Sequence, residues 1–328
     1  MLKTVSAKVS EVHKGERFDV VATYLFPNLS RKRIKNIIDS GGAYLNKKRI
    51  KIAKTEVKLG DKIELFWEEV NSDNVQTSSI KQLNIKNNLD IKLDFDTLIF
   101  ENDLFYIINK PAGVASQATL TSSTDTIFHL LNKVYPQKFD LKKMFLVHRL
   151  DKDTSGLMII AKNTEVQKKF ENLFKDKLIE KNYLALCFYK PKQNEGELSF
   201  PIAKDSNRKN CYFAITNPNS KNKNAKEAFT RYKLLNYYSD ANISLLSCFP
   251  KTGRTHQIRV HLNAIGCPIL GDKTYSQNIY GHKYYQIALR HMLHACYLKF
   301  QLDGQNFEFN LDMPKDFKSI IETIEAVK

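Results

Sequence analysis

The stretch His148-Arg149-Leu150-Asp151-Lys152-Asp153-Thr154-Ser155-Gly156 lies near the middle of a chain of 328 residues. An apolar run, Phe145-Leu146-Val147, precedes it, and a second one, Leu157-Met158-Ile159-Ile160-Ala161, follows it. Both runs are short and rich in β-forming residues, which predicts two buried strands. Ser155-Gly156 predicts a turn between them. The sequence therefore predicts a polar loop presented where two strand ends meet.

This loop carries two carboxylates and two cations within six residues, beside apolar segments that can exclude water. In such surroundings a carboxylate can be held ionised and used as a nucleophile. On spacing alone, a solvated surface turn is the alternative interpretation.

The string also resembles the catalytic loop of the RluA-type pseudouridine synthases. That loop reads His-Arg-Leu-Asp, two variable residues, then Thr-Ser-Gly, and all seven fixed positions are present here. The resemblance implies that Asp151 is catalytic, whereas Asp153 falls on a variable position. It further implies that Arg149 fills the gap left in the RNA when the target base leaves its stack. The fold it implies is α+β, with a largely antiparallel mixed sheet and helices packed outside.

Four more segments are similar to conserved segments of the same family. They are Lys110-Pro111, Lys181-Asn182-Tyr183-Leu184-Ala185, Gly253 to Leu262 together with Pro268 to Asp272, and Leu293-His294-Ala295. The resemblance implies that Tyr183 packs on the target base and acts in proton transfer, that Arg259 pairs with Asp151, and that Leu293 walls the uracil pocket. Lys110, at a strand end, is predicted to reach an anion of the substrate.

The residues by themselves leave alternatives to these roles. Tyr183 is equally consistent with ordinary strand packing. Arg259 lies near the edge of the buried stripe of a predicted helix, where a surface cation is the simple interpretation and a buried one requires a partner. Leu293 without the family is a core residue.

The first 71 residues predict a small helical pair followed by short strands, with two basic clusters. The order of elements resembles the alpha-L RNA-binding domain, although Lys47 stands where the usual Val-Asn-Gly loop has glycine. Basic clusters that flank a helical pair can follow a phosphate backbone. The candidate RNA-binding residues are Arg31, Lys32, Arg33, Lys35, Lys47, Lys48 and Arg49.

The composition points to a polyanionic partner. The formal net charge is +16 and the pI is about 9.4, which favours nucleic acid or an anionic membrane. No apolar run approaches the roughly 18 residues that a membrane span needs, and the first residues lack the apolar core of a signal peptide. Five cysteines without close spacing suit a reducing compartment. We therefore expect a cytoplasmic protein that binds RNA and not a membrane.

The predicted organisation is an alpha-L RNA-binding domain over residues 1–71, a polar linker over 72–95 and a pseudouridine synthase domain over 96–328. The predicted activity is isomerisation of uridine in RNA, most simply large-subunit ribosomal RNA, by a monomer that needs neither cofactor nor metal. Alternatives are a transfer RNA substrate, a non-catalytic RNA-binding or ribosome-assembly factor, and a hydrolase that removes a base. Whether Asp151 attacks the sugar or removes a sugar proton stays open.

Overall fold

The computed structural model describes residues 2–26, 29, 31–68, 97–117, 126–208, 210–217, 219–220, 222–279 and 281–326. The chain forms two compact units, Met1–Asn84 and Ile85–Lys328. Their division falls between the described residues, as does the predicted linker at 72–95, so the predicted domain boundaries stay predictions. Each unit is described by itself. No helix of the described residues is long and apolar enough to cross a membrane.

The small unit packs two helices against a four-stranded antiparallel sheet. Its elements are β1 (Leu2–Lys8), α1 (Phe18–Leu25), α2 (Arg31–Asp39), β2 (Ala43–Leu45), β3 (Lys48–Arg49) and β4 (Lys62–Glu68). The sheet order is β1-β4-β2-β3. Residues three or four apart on the helices, such as Phe18, Val21 and Ala22 on α1, are fully buried with Ile63 and Leu65 of β4. The helical period of the apolar residues therefore decides which faces of the helices form this core.

A buried carboxylate joins the two helices of the small unit. Asp19 accepts bonds of 3.0 Å from Nε and Nη2 of Arg17, and Oδ2 also accepts from Arg31 Nη2 at 3.0 Å. Burial alone would raise the pKa of Asp19, but the two guanidinium groups lower it below its ordinary value.

The hairpin between β2 and β3 keeps its tight turn without glycine. Asn46 and Lys47 adopt φ values of 50° and 65°, the left-handed pair that a two-residue hairpin turn requires. Asn46 tolerates this region, and its side chain bonds Asp61 and the amide of Lys62. Lys47 is sterically strained in this region, whereas glycine, which has no Cβ, would not be.

The large unit is built on one long sheet. Its strands are β5 (Leu98–Glu101), β6 (Phe105–Lys110), β7 (Phe145–Leu146), β8 (Ser155–Ala161), β9 (Glu180–Phe188), β10 (Glu195–Leu198), β13 (Thr230–Tyr238), β14 (Ile243–Pro250), β15 (Leu293–Leu302) and β16 (Gln305–Asn310). The order is β10-β13-β14-β9-β15-β8-β6-β5, with β16 paired to β15 and β7 to β8. β15 and β8 run parallel, and the other pairings of this sheet are antiparallel. The predicted α+β class with a largely antiparallel mixed sheet is confirmed.

Four helices cover the two faces of this sheet. They are α3 (Ile127–Val134), α4 (Thr164–Lys175), α5 (Gln257–Ala264) and α6 (Lys315–Glu325). A separate pair of short strands, β11 (Ile202–Lys204) and β12 (Tyr212–Ala214), lies in the segment between β10 and β13. Alternate residues of β8 face opposite sides, so Ile159 packs with α4 and Ile160 packs with α3.

The catalytic-type loop lies between β7 and β8, so the predicted succession of strand, polar loop and strand is confirmed. The predicted turn at Ser155-Gly156 is wrong, because both residues already belong to β8 and pair in parallel with His294 and Ala295. Gly156 has a φ of 115°, and a Cβ there would overlap the backbone of Ala295. The glycine is needed for the close approach of two central strands, not for a turn.

We expect Gly156→Ala to lower the free energy of unfolding of the large unit by about 2 kcal/mol or more, because the added methyl meets backbone and the φ is unfavourable for an L residue. Equilibrium denaturation by urea measures this change. Gly281→Ala is the matched control, since nothing lies within 4 Å of its added Cβ, and it should change stability by less than about 0.5 kcal/mol. Equal stability of the two variants would contradict the close-approach argument.

Candidate active site

The loop that carries Asp151 is held in place by hydrogen bonds from two other segments, one containing Ser116 and one containing Arg290 and His291. Ser116 Oγ donates to the carbonyl of Leu150 at 2.7 Å and accepts from its amide at 3.0 Å. Ser116 lies in the segment that follows β6. Thr154 Oγ1 bonds His291 Nε2 at 2.8 Å, and Arg290 Nη1 donates to the carbonyl of Asp153 at 3.0 Å.

Lys110, at the end of β6, also holds this loop in place. Its side chain is fully buried, and Nζ donates to the carbonyls of Pro111, Val114 and Lys152 at 2.9, 2.8 and 3.1 Å. An ammonium has three donors, and all three are used. Burial lowers the pKa of Lys110 to about 7. The prediction that Lys110 binds an anion of the substrate is therefore wrong for this structure, because the side chain is sealed beneath the loop.

Asp151 and Arg259 meet directly, as the sequence resemblance predicts. Arg259 Nη1 donates to Asp151 Oδ2 at 2.9 Å across 108 positions of sequence. Arg259 lies on α5, which brings it to the loop between β7 and β8. Among the described residues no group donates a hydrogen bond to Asp151 Oδ1, so this oxygen is left for the cleft.

The guanidinium of Arg259 is itself held by a second carboxylate, which sequence analysis quoted but gave no role. Asp272 accepts from Arg259 Nε at 2.7 Å and from Nη2 at 2.9 Å, a bidentate pair. The ring of Tyr275 lies 5.1 Å from the guanidinium carbon. The sequence offers one indication of this role: an arginine that is removed from water requires charged partners, and Asp272 follows Arg259 closely in the chain.

Neighbouring positive charges determine the ionisation state of Asp151. Burial works to raise the pKa of Asp151, but the neighbouring His256, Arg259 and His291 outweigh it and place the pKa below its ordinary value. Burial lowers the pKa of His256, and lowers that of His291 to about 4. Both imidazoles are therefore mainly neutral at pH 7, and Arg259 is the lasting positive charge beside the carboxylate.

A second chain of contacts reaches Asp151 through His256, which sequence analysis also missed. The amide of Tyr212 donates to the Tyr275 hydroxyl at 3.0 Å, that hydroxyl lies 2.8 Å from His256 Nδ1, and His256 Nε2 lies 3.8 Å from Asp151 Oδ2. His256 has a φ of 58° at the start of α5. Strained backbone of this kind is often found at functional sites.

These side chains open onto a cleft of about 440 Å³, which a single base with part of its nucleotide can occupy. Tyr183 and Leu293 line it together with Asp151, and the exposed Arg149 lies at its edge. Burial first, and Asp151 second, raise the pKa of Tyr183, so its phenol stays neutral at pH 7. The structure thus brings Asp151, Tyr183, Arg259, Arg149 and Leu293 together.

The predicted RNA-binding cations lie in the small unit. Arg33 and Lys47 line an open cleft of about 870 Å³ there, and Lys35 and Lys48 are exposed. Arg31 is bonded to Asp19, and the Arg49 guanidinium lies over Gly41. The side chain of Lys32 lies outside the described residues. Within the described part of the chain, His, Cys, Asp and Glu form no group of three that could hold a metal.

Comparison with known proteins agrees with this geometry. Residues 104–264 match the RNA pseudouridylate synthase family, and residues 16–63 match the S4 domain. The chain is 35% identical to ribosomal large subunit pseudouridine synthase C of Rickettsia bellii (strain RML369-C), over 85% of this chain and 87% of that protein. It is 29% identical to ribosomal large subunit pseudouridine synthase D of Pasteurella multocida (strain Pm70), over 98% and 95% of the two chains.

A solved structure shows the same fold. Human RNA pseudouridylate synthase domain containing 4 aligns with a TM-score of 0.55 at 24% identity, covering 70% of this chain and 92% of that one. The matched S4 domain contains the two basic clusters of the small unit, and the matched synthase segment contains Asp151, Tyr183 and Arg259. This chain belongs to the RluA-type RNA pseudouridine synthases and carries an S4 domain ahead of its catalytic domain.

Proposed function

We propose that this enzyme converts one or more uridines of large-subunit ribosomal RNA to pseudouridine, with Asp151 as the catalytic carboxylate. The observation that carries the proposal is the ion pair between the partly exposed Asp151 and the buried Arg259, both of which line the cleft. Two relatives named as large-subunit synthases, the S4 domain and the net charge of +16 support ribosomal RNA as the substrate. We further propose that the enzyme acts as a monomer in the cytoplasm, and its five free cysteines suit the reducing conditions of that compartment.

The reaction breaks the bond between uracil N1 and ribose C1′ and forms a bond between C5 and C1′. A proton leaves C5 and one is gained at N1, so no electrons are exchanged with another molecule. The protein must hold an ionised carboxylate beside the sugar in a site with little water. Arg259 keeps Asp151 ionised and occupies Oδ2, so that Oδ1 faces the ribose.

The other residues of the cleft position the nucleotide. Tyr183 and Leu293 contribute apolar walls against which the base packs. Tyr183 keeps its proton at neutral pH, so its hydroxyl can donate a hydrogen bond to the base and take part in the proton transfer that the family resemblance implies. Arg149 at the edge is placed to enter the space that the base leaves when it unstacks, at a cost of a few kcal/mol. Exposed Lys35, Lys47 and Lys48 of the S4 domain provide phosphate contacts.

We expect Asp151→Asn to lower the rate of pseudouridine formation by a factor on the order of a thousand or more, because removal of the nucleophilic or basic group leaves only binding. RNA affinity should change little. Asp153→Asn, two positions along the same loop, is the matched control and should retain activity. Single-turnover assays with chemical detection of pseudouridine, and filter binding of the same RNA, measure both effects.

Full activity of Asp151→Asn would end the assignment of this carboxylate. Free uracil and abasic RNA from the wild-type enzyme would instead identify a base-removing hydrolase. Mapping pseudouridines in total RNA with and without the protein distinguishes the substrates, and loss of sites from transfer RNA alone would overturn the ribosomal assignment.

We expect Arg259→Lys to slow the reaction by a factor on the order of ten or more and to move the acid limb of its pH profile to higher pH. A lysine cannot bond Asp272 in bidentate fashion and reach Asp151 as well. The pKa of Asp151, now held below its ordinary value, would rise, so the carboxylate would be protonated at less acidic pH. Arg231→Lys, at an exposed position of β13, is the control. Single-turnover rates across the acidic range test this, and superimposable profiles would contradict it.

A further inference from the structure

The cleft is lined by a further cation, Lys181, that the proposed chemistry does not use. Lys181 lies on β9 two positions before Tyr183, so both side chains point to the same face of the strand, about 7 Å apart along it. Both line the 440 Å³ cleft. Lys181 therefore lies next to the position proposed for the target base.

The surroundings of Lys181 are aromatic. Its Nζ lies 5.6 Å from the centre of the Phe174 ring, and the ring of His148 packs on Phe174 at 4.8 Å. His148 Nε2 accepts the amide of Ile159, and burial lowers the pKa of His148 to about 3. His148 is thus neutral at pH 7 and gives Lys181 no counter-charge.

No carboxylate of the described residues forms an ion pair with Lys181. Glu171 lines the same cleft without pairing with it, and Asp151 is already bonded to Arg259. Burial is the cause that lowers the pKa of Lys181 to about 8. Lys181 is partly buried. Removing a lysine even partly from water without an anion is costly, whereas a surface lysine that only covers apolar area would hold its ammonium in solvent.

The charge of the cleft wall points to an anionic ligand. Lys175, Lys251 and Arg254 line the cleft along with Lys181, and Glu171 is the acid beside them. RNA brings one phosphate with every nucleotide, and lysine binds phosphate as a compact point charge.

We propose that Lys181 binds a phosphodiester of the RNA backbone, either at the target uridine or at its immediate neighbour. The inference rests on the proposed function, since it assigns a backbone subsite in the same cleft. The ammonium contacts a non-bridging oxygen and replaces the missing counter-charge. Phe174 limits the ammonium to one side of its ring, so the phosphate approaches from the open side of the cleft. Lys181 thereby sets which backbone position lies beside Asp151.

The test uses the RNA fragment that the wild-type enzyme modifies, prepared with a single neutral methylphosphonate at each linkage around the target uridine. With wild-type enzyme, one linkage should weaken binding and raise KM by a factor on the order of ten when neutralised. Lys181→Met should raise KM of the unmodified RNA to a similar extent with kcat changed less than about twofold. For this variant, neutralising the same linkage should have no further effect, while other sensitive linkages keep theirs.

Lys318→Met, which removes one exposed charge from α6, is the control for the loss of net charge. Lys181→Arg should recover part of the affinity, because it restores a cation at this position. Thermal unfolding of each variant separates a folding defect from a binding defect.

Wild-type affinity in Lys181→Met would overturn the inference. The inference would also be overturned if neutralising the linkage that weakens wild-type binding weakened binding of Lys181→Met to the same extent. The lysine would then affect binding indirectly, by stabilising the protein, and not by contacting that phosphate. If Lys181→Met does not fold, a wild-type enzyme with no sensitive linkage next to the uridine overturns it in the same way. Absence of pseudouridine with wild-type enzyme would refute the proposed function itself, a result distinct from these.

Discussion

The salt bridge from Arg259 to Asp151 and Asp272 is the interaction on which the active site depends. A single guanidinium uses three of its nitrogens on two carboxylates, at distances of 2.7 to 2.9 Å. The bidentate side faces Asp272, which is buried and fixes the plane of the guanidinium. The remaining nitrogen holds one oxygen of Asp151. The group therefore carries one more negative charge than positive, and among the described residues the second oxygen of Asp151 accepts no hydrogen bond.

The rest of the site keeps this geometry from relaxing. The loop of Asp151 is tied to β6 by Lys110, to the segment after β6 by Ser116, and to the region before β15 by Arg290 and His291. Lys110, Ser116 and His291 are buried, so their polar groups would be costly to leave unpaired. The carboxylate is consequently placed before substrate arrives, and little binding energy is lost in arranging it.

Sequence analysis predicted the parts of this site that depend on local pattern and on a distinctive motif. The strands around the loop follow from their apolar runs, and the pairing of Asp151 with Arg259 follows from the resemblance. Gly156 was misassigned because a glycine in a turn and a glycine beneath a neighbouring backbone look alike without the neighbour. Lys110 was misassigned because a lysine at a strand end can point outward to an anion or inward to carbonyls. Asp272 was missed because its own segment carries no signal; the signal is the burial of Arg259, which the sequence left open and which requires a charged partner.

The position of β15 in the sheet has a consequence for how the protein is made. This strand lies between β9 and β8 at the centre of the order, although it is among the last elements of the chain. During synthesis, the strands on either side emerge from the ribosome long before the strand that joins them. Contacts between such distant segments close slowly. Until then, the nascent catalytic domain has two half-sheets with unpaired inner edges and no assembled active site. Unpaired strand edges are prone to aggregate, so chaperones would be needed most during this interval.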